Sequence, residues 1–208
     1  HALYDSEHLP ERLSIPGFLS ARRWEAVLPP GEGKYLATYE LESAAVLKSP
    51  AYLAHFRDRP TPWTRRVLGK CVVFRRWACE QILPGGAQPD PRARALFLAC
   101  GDVPPEHEAE FNRWYDEEHV PLLSAVPGVL SARRFFDPEG SPRYAALYEL
   151  ANDDVPEHPQ NRVELPRHLD GLPPLLAGDL PGDPVADRAA GLAPEGRVTT
   201  AHHVGPAV

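Results

Sequence analysis

Trp114-Tyr-Asp-Glu-Glu-His-Val-Pro121, followed by Leu-Leu-Ser-Ala-Val-Pro-Gly-Val-Leu-Ser-Ala-Arg-Arg-Phe135, has a near-copy at the start of the chain. There the text reads Leu3-Tyr-Asp-Ser-Glu-His-Leu-Pro10, then Glu-Arg-Leu-Ser-Ile-Pro-Gly-Phe-Leu-Ser-Ala-Arg-Arg-Trp24. Tyr4/Tyr115, Asp5/Asp116, Glu7/Glu118, His8/His119, Pro10/Pro121, Pro16/Pro127, Gly17/Gly128 and the two Ser-Ala-Arg-Arg runs share one offset. A long internal repeat takes precedence over other signals, because it means that one structural unit has been built twice.

The second copy supplies the element order. Arg94–Cys100 is a short apolar run closed by Gly101-Asp102, the pattern of a buried strand. Pro104 and Pro105 open a helix that is expected from about Glu106 to His119, where Phe111, Trp114, Tyr115 and His119 share one face. Pro121 is expected to stop it. Val126-Pro-Gly128 is a turn, Val129–Phe136 a strand, Asp137–Gly140 a hairpin turn, and Arg143–Leu150 the returning strand. In the first copy, Phe18–Val27 and Lys34–Leu41 form the matching hairpin around Pro29–Gly33, a turn longer by two residues. Interrupted helical stretches follow from Glu42 to about Leu68, then a strand from Lys70 to Ile82. The unit is therefore β-α-β-β-α-β, the ferredoxin-like order. The opening strand and most of the first helix of copy one are expected upstream of His1.

The division that follows is a first ferredoxin-like repeat over 1–84, a Gly/Pro-rich linker over 85–92 and a second repeat over 93–208. Residues 151–196 of that repeat are Pro-rich and irregular, with short helices expected near Val163–Leu169 and Val185–Leu192. Gly196–Val204 alternates as a final strand.

The helix end Trp-Tyr-Asp-Glu-Glu-His-x-Pro, with Pro-Gly-(Val/Phe)-Leu-Ser-Ala-Arg-Arg-aromatic after it, resembles the EthD-like branch of the dimeric α/β-barrel superfamily. The resemblance implies an α+β fold in which two ferredoxin-like half-domains make a barrel, here within one chain instead of between two. It also implies a small-molecule role. Cofactor-free oxygenation, polyketide cyclisation or dehydration, lactone isomerisation and, in separate branches, haem chemistry all occur in the superfamily. The Pro-rich tail of copy two departs from the family pattern.

Composition narrows the partners. A net charge of −7 without a basic block argues against nucleic acid. No apolar run reaches the ~20 residues of a membrane helix, and no signal-peptide pattern is visible, so a cytoplasmic location is expected. Cys71, Cys79 and Cys100 have neither metal nor redox spacing and read as buried reduced thiols. No metal motif, dinucleotide fingerprint or phosphate loop occurs, so no cofactor is expected. His55 is a haem ligand only by superfamily analogy.

The residues left to carry chemistry sit at the two helix ends. His119 and His8 are the candidate acid/base groups. The helix dipole, Asp116 and Glu118 favour imidazolium while burial opposes it, a balance expected to put titration near neutrality. The same rings can instead cap carbonyls and pack under the turn. Tyr115 and Tyr4, one turn earlier, are catalytic candidates as hydrogen-bond donors to a carbonyl or enolate, or else core residues. Arg133 and Arg22 are candidates to bind a substrate carboxylate or phenolate, against a plain salt bridge to the acidic helix end. Trp114 and His203 complete the candidate substrate contacts; adjacent His202 and His203 point to opposite strand faces and cannot chelate one ion together. The expected function is cofactor-independent acid/base chemistry, of a lyase or isomerase kind, on a small apolar and polyketide-like aromatic molecule. The alternatives are a non-catalytic binding protein for a hydrophobic ligand and an oxygenase, cofactor-free or haem-dependent. A monomer or a homodimer fits either.

Overall fold

In the computed structural model, the two copies of the helix end fold alike, hydrogen bond by hydrogen bond. The structure describes residues 4–25, 35–55, 61, 64–66, 70, 74–153 and 198–204, with backbone alone for Tyr4 and 198–204. The Pro-rich segment with its two expected helices, the first hairpin's turn, and Cys71 lie outside these residues. Ser14 N–H donates to Pro10 O (3.1 Å), Ile15 N–H to Arg12 O (3.0 Å) and Phe18 N–H to Ile15 O (3.1 Å). In the second copy Ala125 donates to Pro121 O (3.2 Å), Val126 to Leu123 O (3.1 Å) and Val129 to Val126 O (3.1 Å). Gly17 and Gly128 both turn the chain at positive φ, 89° and 93°, a conformation that disfavours any side chain.

Proline does not end the helix as expected. Pro105–His107 is one tight turn, Glu108–Trp114 is α-helical, Tyr115–His119 is a wider turn, and Val120–Ser124 continues the helix past Pro121. The wider turn is of the π kind, with Val120 N–H bonded to Tyr115 O five residues back. Pro121 has no N–H for the carbonyl of Glu117, and its ring would strike that carbonyl in a regular helix. Widening the turn by one residue makes room, so the chain bulges instead of stopping. Tyr4–His8 and Leu9–Leu13, with Pro10 second in the following turn, repeat the device.

The strands are β1 (Phe18–Glu25), β2 (Tyr35–Leu41), β3 (Phe74–Leu83), β4 (Ala95–Gly101), β5 (Val129–Phe136), β6 (Tyr144–Leu150) and β7 (Val198–Val204). They form one sheet in the order β1-β2-β7-β3-β5-β6-β4, antiparallel at every pairing. Both hairpins carry a register shift at the equivalent place, between Phe18 and Ser20 and between Val129 and Ser131. β4 lies beside β6, as a ferredoxin-like opening strand lies beside the second strand of its hairpin. The matching place in copy one, between β2 and β3, is filled by β7 from the far end of the chain. β1-β2-β7-β3 thus reproduces the ferredoxin strand order. The fold is α+β, with an antiparallel sheet of ferredoxin-like order.

The sheet curls strongly. β1 and β6 are five strand spacings apart, which would be ~24 Å in a flat sheet. Yet Arg22 of β1 reaches Glu149 of β6 at 3.2 Å. Curling sorts the core into three apolar clusters. Phe111, Trp114, Tyr115 and Val120 cover the outer face of β4-β5-β6, meeting Ala132, Tyr144, Ala146 and Tyr148. Leu9 and Ile15 cover the outer face of β1-β2, meeting Ala21, Ala37 and Tyr39. The concave face brings Trp24 and Leu36 of one half into the same cluster as Phe135, Leu147 and Leu96 of the other.

Candidate functional site

Strand alternation splits each Arg-Arg pair between two layers. Arg134 points to the helix side, where Asp116 and Asn112 Oδ1 (2.7 Å) accept from its guanidinium. Its carbon lies 4.3 Å from the centre of the Tyr115 ring. Arg23 does likewise in copy one, 3.6 Å from Asp5 and 4.4 Å from the centre of the Tyr35 ring. Arg133 and Arg22 point to the concave side, and the carboxylates that hold them come from the opposite half. Arg133 donates to Glu40 at 2.9 Å and Arg22 to Glu149 at 3.2 Å, with Arg133 also 3.8 Å from Glu149. Ser131 Oγ and the backbone N–H of Asp90 (2.7 Å) complete the shell of Glu149, and Arg22 donates to Asp90 O at 2.9 Å. All four charged side chains are buried. The guanidiniums expected for a substrate are thus occupied by Glu40 and Glu149. The helix-end salt bridge foreseen for the arginines belongs to their neighbours, Arg23 and Arg134.

His119 sits between helix and sheet. Its ring is 4.5 Å from the Trp114 indole, tilted by 31°, and 4.9 Å from the Tyr115 ring, near edge-on at 75°. Its Nδ1 is buried with no hydrogen-bond partner. Burial, and then the Arg134 charge, lower its pKa to about 4, so the ring is neutral at pH 7. The expectation of titration near neutrality is corrected here. Asp116 spends its charge on Arg134, and Glu118 is exposed. His8, also buried, is lowered further, to about 3, by burial and then Arg12.

Tyr115 is buried and its phenol is pushed up to about 12, chiefly by burial. Tyr148, from β6, was missed in the sequence. It belongs to the same cluster, its hydroxyl has no hydrogen-bond partner, and burial followed by the nearby Tyr115 phenol pushes its pKa up. The layer thus holds a neutral imidazole, two un-ionised phenols and a fixed guanidinium, packed among aromatic rings. Such a set can accept a proton at the imidazole and steady a developing oxyanion with phenolic donors.

Tyr4 and His203 are described by backbone alone. Tyr4 opens the π turn that ends at His8, and His203 pairs with Leu36 and Arg75. The structure therefore brings together His119, Tyr115 and Trp114, and puts Arg133 and Arg22 on the other side of the sheet. The signal for Glu40, Glu149 and Tyr148 was present as a second repeat, Tyr39-Glu-Leu41 and Tyr148-Glu-Leu150, with an acid in the middle of an apolar strand. His55 lies 3.4 Å from Glu11, and the described residues hold no group of three or more metal-ligating side chains. Among them, no helix is long and apolar enough to cross a membrane.

No protein-family model matches the chain. Over 108 residues it is 32% identical to the apolipoprotein N-acyltransferase of Caulobacter vibrioides, a match covering 48% of this chain. The chain spans only 20% of that protein's length. Among solved structures it is similar to a protein of Fusobacterium nucleatum described as a proposed monooxygenase. The TM-score is 0.49 at 10% identity, over 92% of this chain and 85% of that one. A likeness at this level carries no argument about the reaction, which rests on the chain's own geometry.

Proposed function

We propose that the chain is a tandem duplication of an EthD-like half-domain, repeats 1–84 and 93–208 in sequence, with the last strand of the second repeat lent to the sheet of the first, and that the halves close on each other as an intrachain α/β barrel. Its function is cofactor-independent acid/base chemistry on a small, largely apolar ketone or polyketide-like aromatic. His119 is the proton acceptor, and Tyr115 and Tyr148 donate to the oxygen on which negative charge develops. Two observations support the barrel: the crossed pairs Arg22–Glu149 and Arg133–Glu40, and the shared concave cluster. One observation carries the chemistry. The Nδ1 of a neutral histidine lies buried and unpartnered in the same aromatic layer as an unpartnered tyrosine hydroxyl. Orphaned polar atoms in an otherwise apolar shell are what a polar substrate atom would satisfy. A base whose pKa is near 4 is weak in the empty site. It gains strength when the product of proton transfer is an anion held beside the new imidazolium.

The test is proton exchange of 2-tetralone in deuterium oxide, followed by NMR. Wild-type protein is expected to speed exchange at the carbon next to the carbonyl. His119→Gln should lower that rate by about 10² with little change in melting temperature. Saturable binding of the ketone with no exchange would make the chain a carrier instead of an enzyme.

A further inference from the structure

The first helix end carries a charge that the second lacks. Aligned on the repeat, Arg12 stands where the second copy has Leu123. Arg12 is 5% exposed, one helical turn beyond His8, in the layer between helix and β1-β2. Its guanidinium carbon lies 5.5 Å from the centre of the Tyr52 ring, and Arg76 lies at 5.5 Å from the same ring. Nη1 is buried with no hydrogen-bond partner. The acids of this helix end are committed elsewhere: Asp5 to Arg23, Glu7 to Thr61 and Glu11 to His55. Among the described residues no ion pair engages Arg12.

A buried charge without a partner is costly, and a lysine or histidine there would escape by losing its proton. A guanidinium cannot. His8 shows the contrast, being neutral one turn away. Replacing arginine by the leucine of the other copy would remove the cost, and no described residue supplies the counter-ion that the charge calls for.

We infer that Arg12 is the receptor for a small aromatic carboxylate bound in the first copy, between the helix end and the outer face of β1-β2. One guanidinium offers a fork that matches one carboxylate. A phosphate dianion would bring a second negative charge and no apolar body into surroundings made by Leu9, Ile15, Phe18 and Tyr52. The flat remainder of the ligand would lie against the Phe18–Tyr52 stack, whose rings are 5.9 Å apart and 15° from parallel. This site is separate from the one built around His119, and its test does not read proton exchange.

Thermal melts of the full chain with benzoate, benzamide and inorganic phosphate test the assignment. Benzoate should raise the melting temperature saturably, and neutral benzamide should not. Arg12→Leu should melt higher than wild type without ligand and lose the benzoate shift, and Arg12→Lys should bind benzoate about tenfold more weakly or worse. An equal benzoate shift in Arg12→Leu, an equal effect of benzamide, or no saturable effect in wild type overturns the proposal. A larger effect of phosphate than of benzoate also overturns it. Should Arg12→Leu fail to fold, the NMR signals of the His8 ring in wild type take over. They should move as benzoate is added, and failure to move is equally decisive.

Discussion

The two helix ends have nearly the same backbone and opposite chemistry. Each has a π turn closed by a neutral histidine, a proline-tolerant second turn and a glycine at positive φ. In copy two the position one turn beyond the histidine is Leu123, packed against an aromatic cluster, and the orphaned atoms are the histidine Nδ1 and a tyrosine hydroxyl. In copy one it is Arg12, and its guanidinium Nη1 is among the orphaned atoms. A duplicated scaffold fixes where side chains point, and single substitutions then decide which ligand the place suits. On the two proposals above, one end exchanges a proton and the other holds an anion.

The comparison breaks most severely at the concave face, where the halves are not equivalent. Glu149 serves both Arg22 and Arg133, whereas Glu40 serves Arg133. Glu149→Ala should cost on the order of 3–5 kcal/mol in denaturant unfolding, because it strands buried guanidiniums. Glu40→Ala should cost less, since Arg133 keeps Glu149 nearby. Equal costs would mean that the two crossed pairs are energetically the same.

Acid sharpens the contrast between the histidines. The unfolded chain takes up a proton on each near pH 6.5, whereas the folded chain does so near about 4 at His119 and about 3 at His8. Between those values the unfolded state holds more protons, so stability is complete above 6.5 and falls as the pH drops through the window. Each ring contributes a slope of about 1.4 kcal/mol per pH unit there. His119→Gln should flatten the stability profile down to about pH 4, and His8→Gln further, to about 3. Identical profiles for wild type and both variants would contradict the burial of the rings.

The smallest difference lies at the turn glycines. Gly17→Ala and Gly128→Ala both force a side chain into positive φ, at a cost of about 1 kcal/mol. Gly17 has the added burden that a new Cβ would meet Val46 Cγ2 at 2.5 Å. Gly17→Ala should therefore lower the melting temperature by more than the backbone cost alone, and Gly17→Ala combined with Val46→Ala should recover part of the loss.

Most local features were legible in the sequence, because local physics sets them. The repeat, the hairpin strands and the face shared by Trp114, Tyr115 and His119 follow from spacing and turn chemistry. Pro121 misled, because a backbone can absorb a proline by bulging when packing on both sides rewards a longer helix. Tertiary structure alone decided that Arg22 and Arg133 meet the acids of the opposite half, and that β7 fills the place beside β2. It also decided that His119 is neutral and that no described residue pairs with Arg12. Such outcomes depend on which distant strands pair and on how far burial strips water from a charge, and neighbours in sequence encode neither.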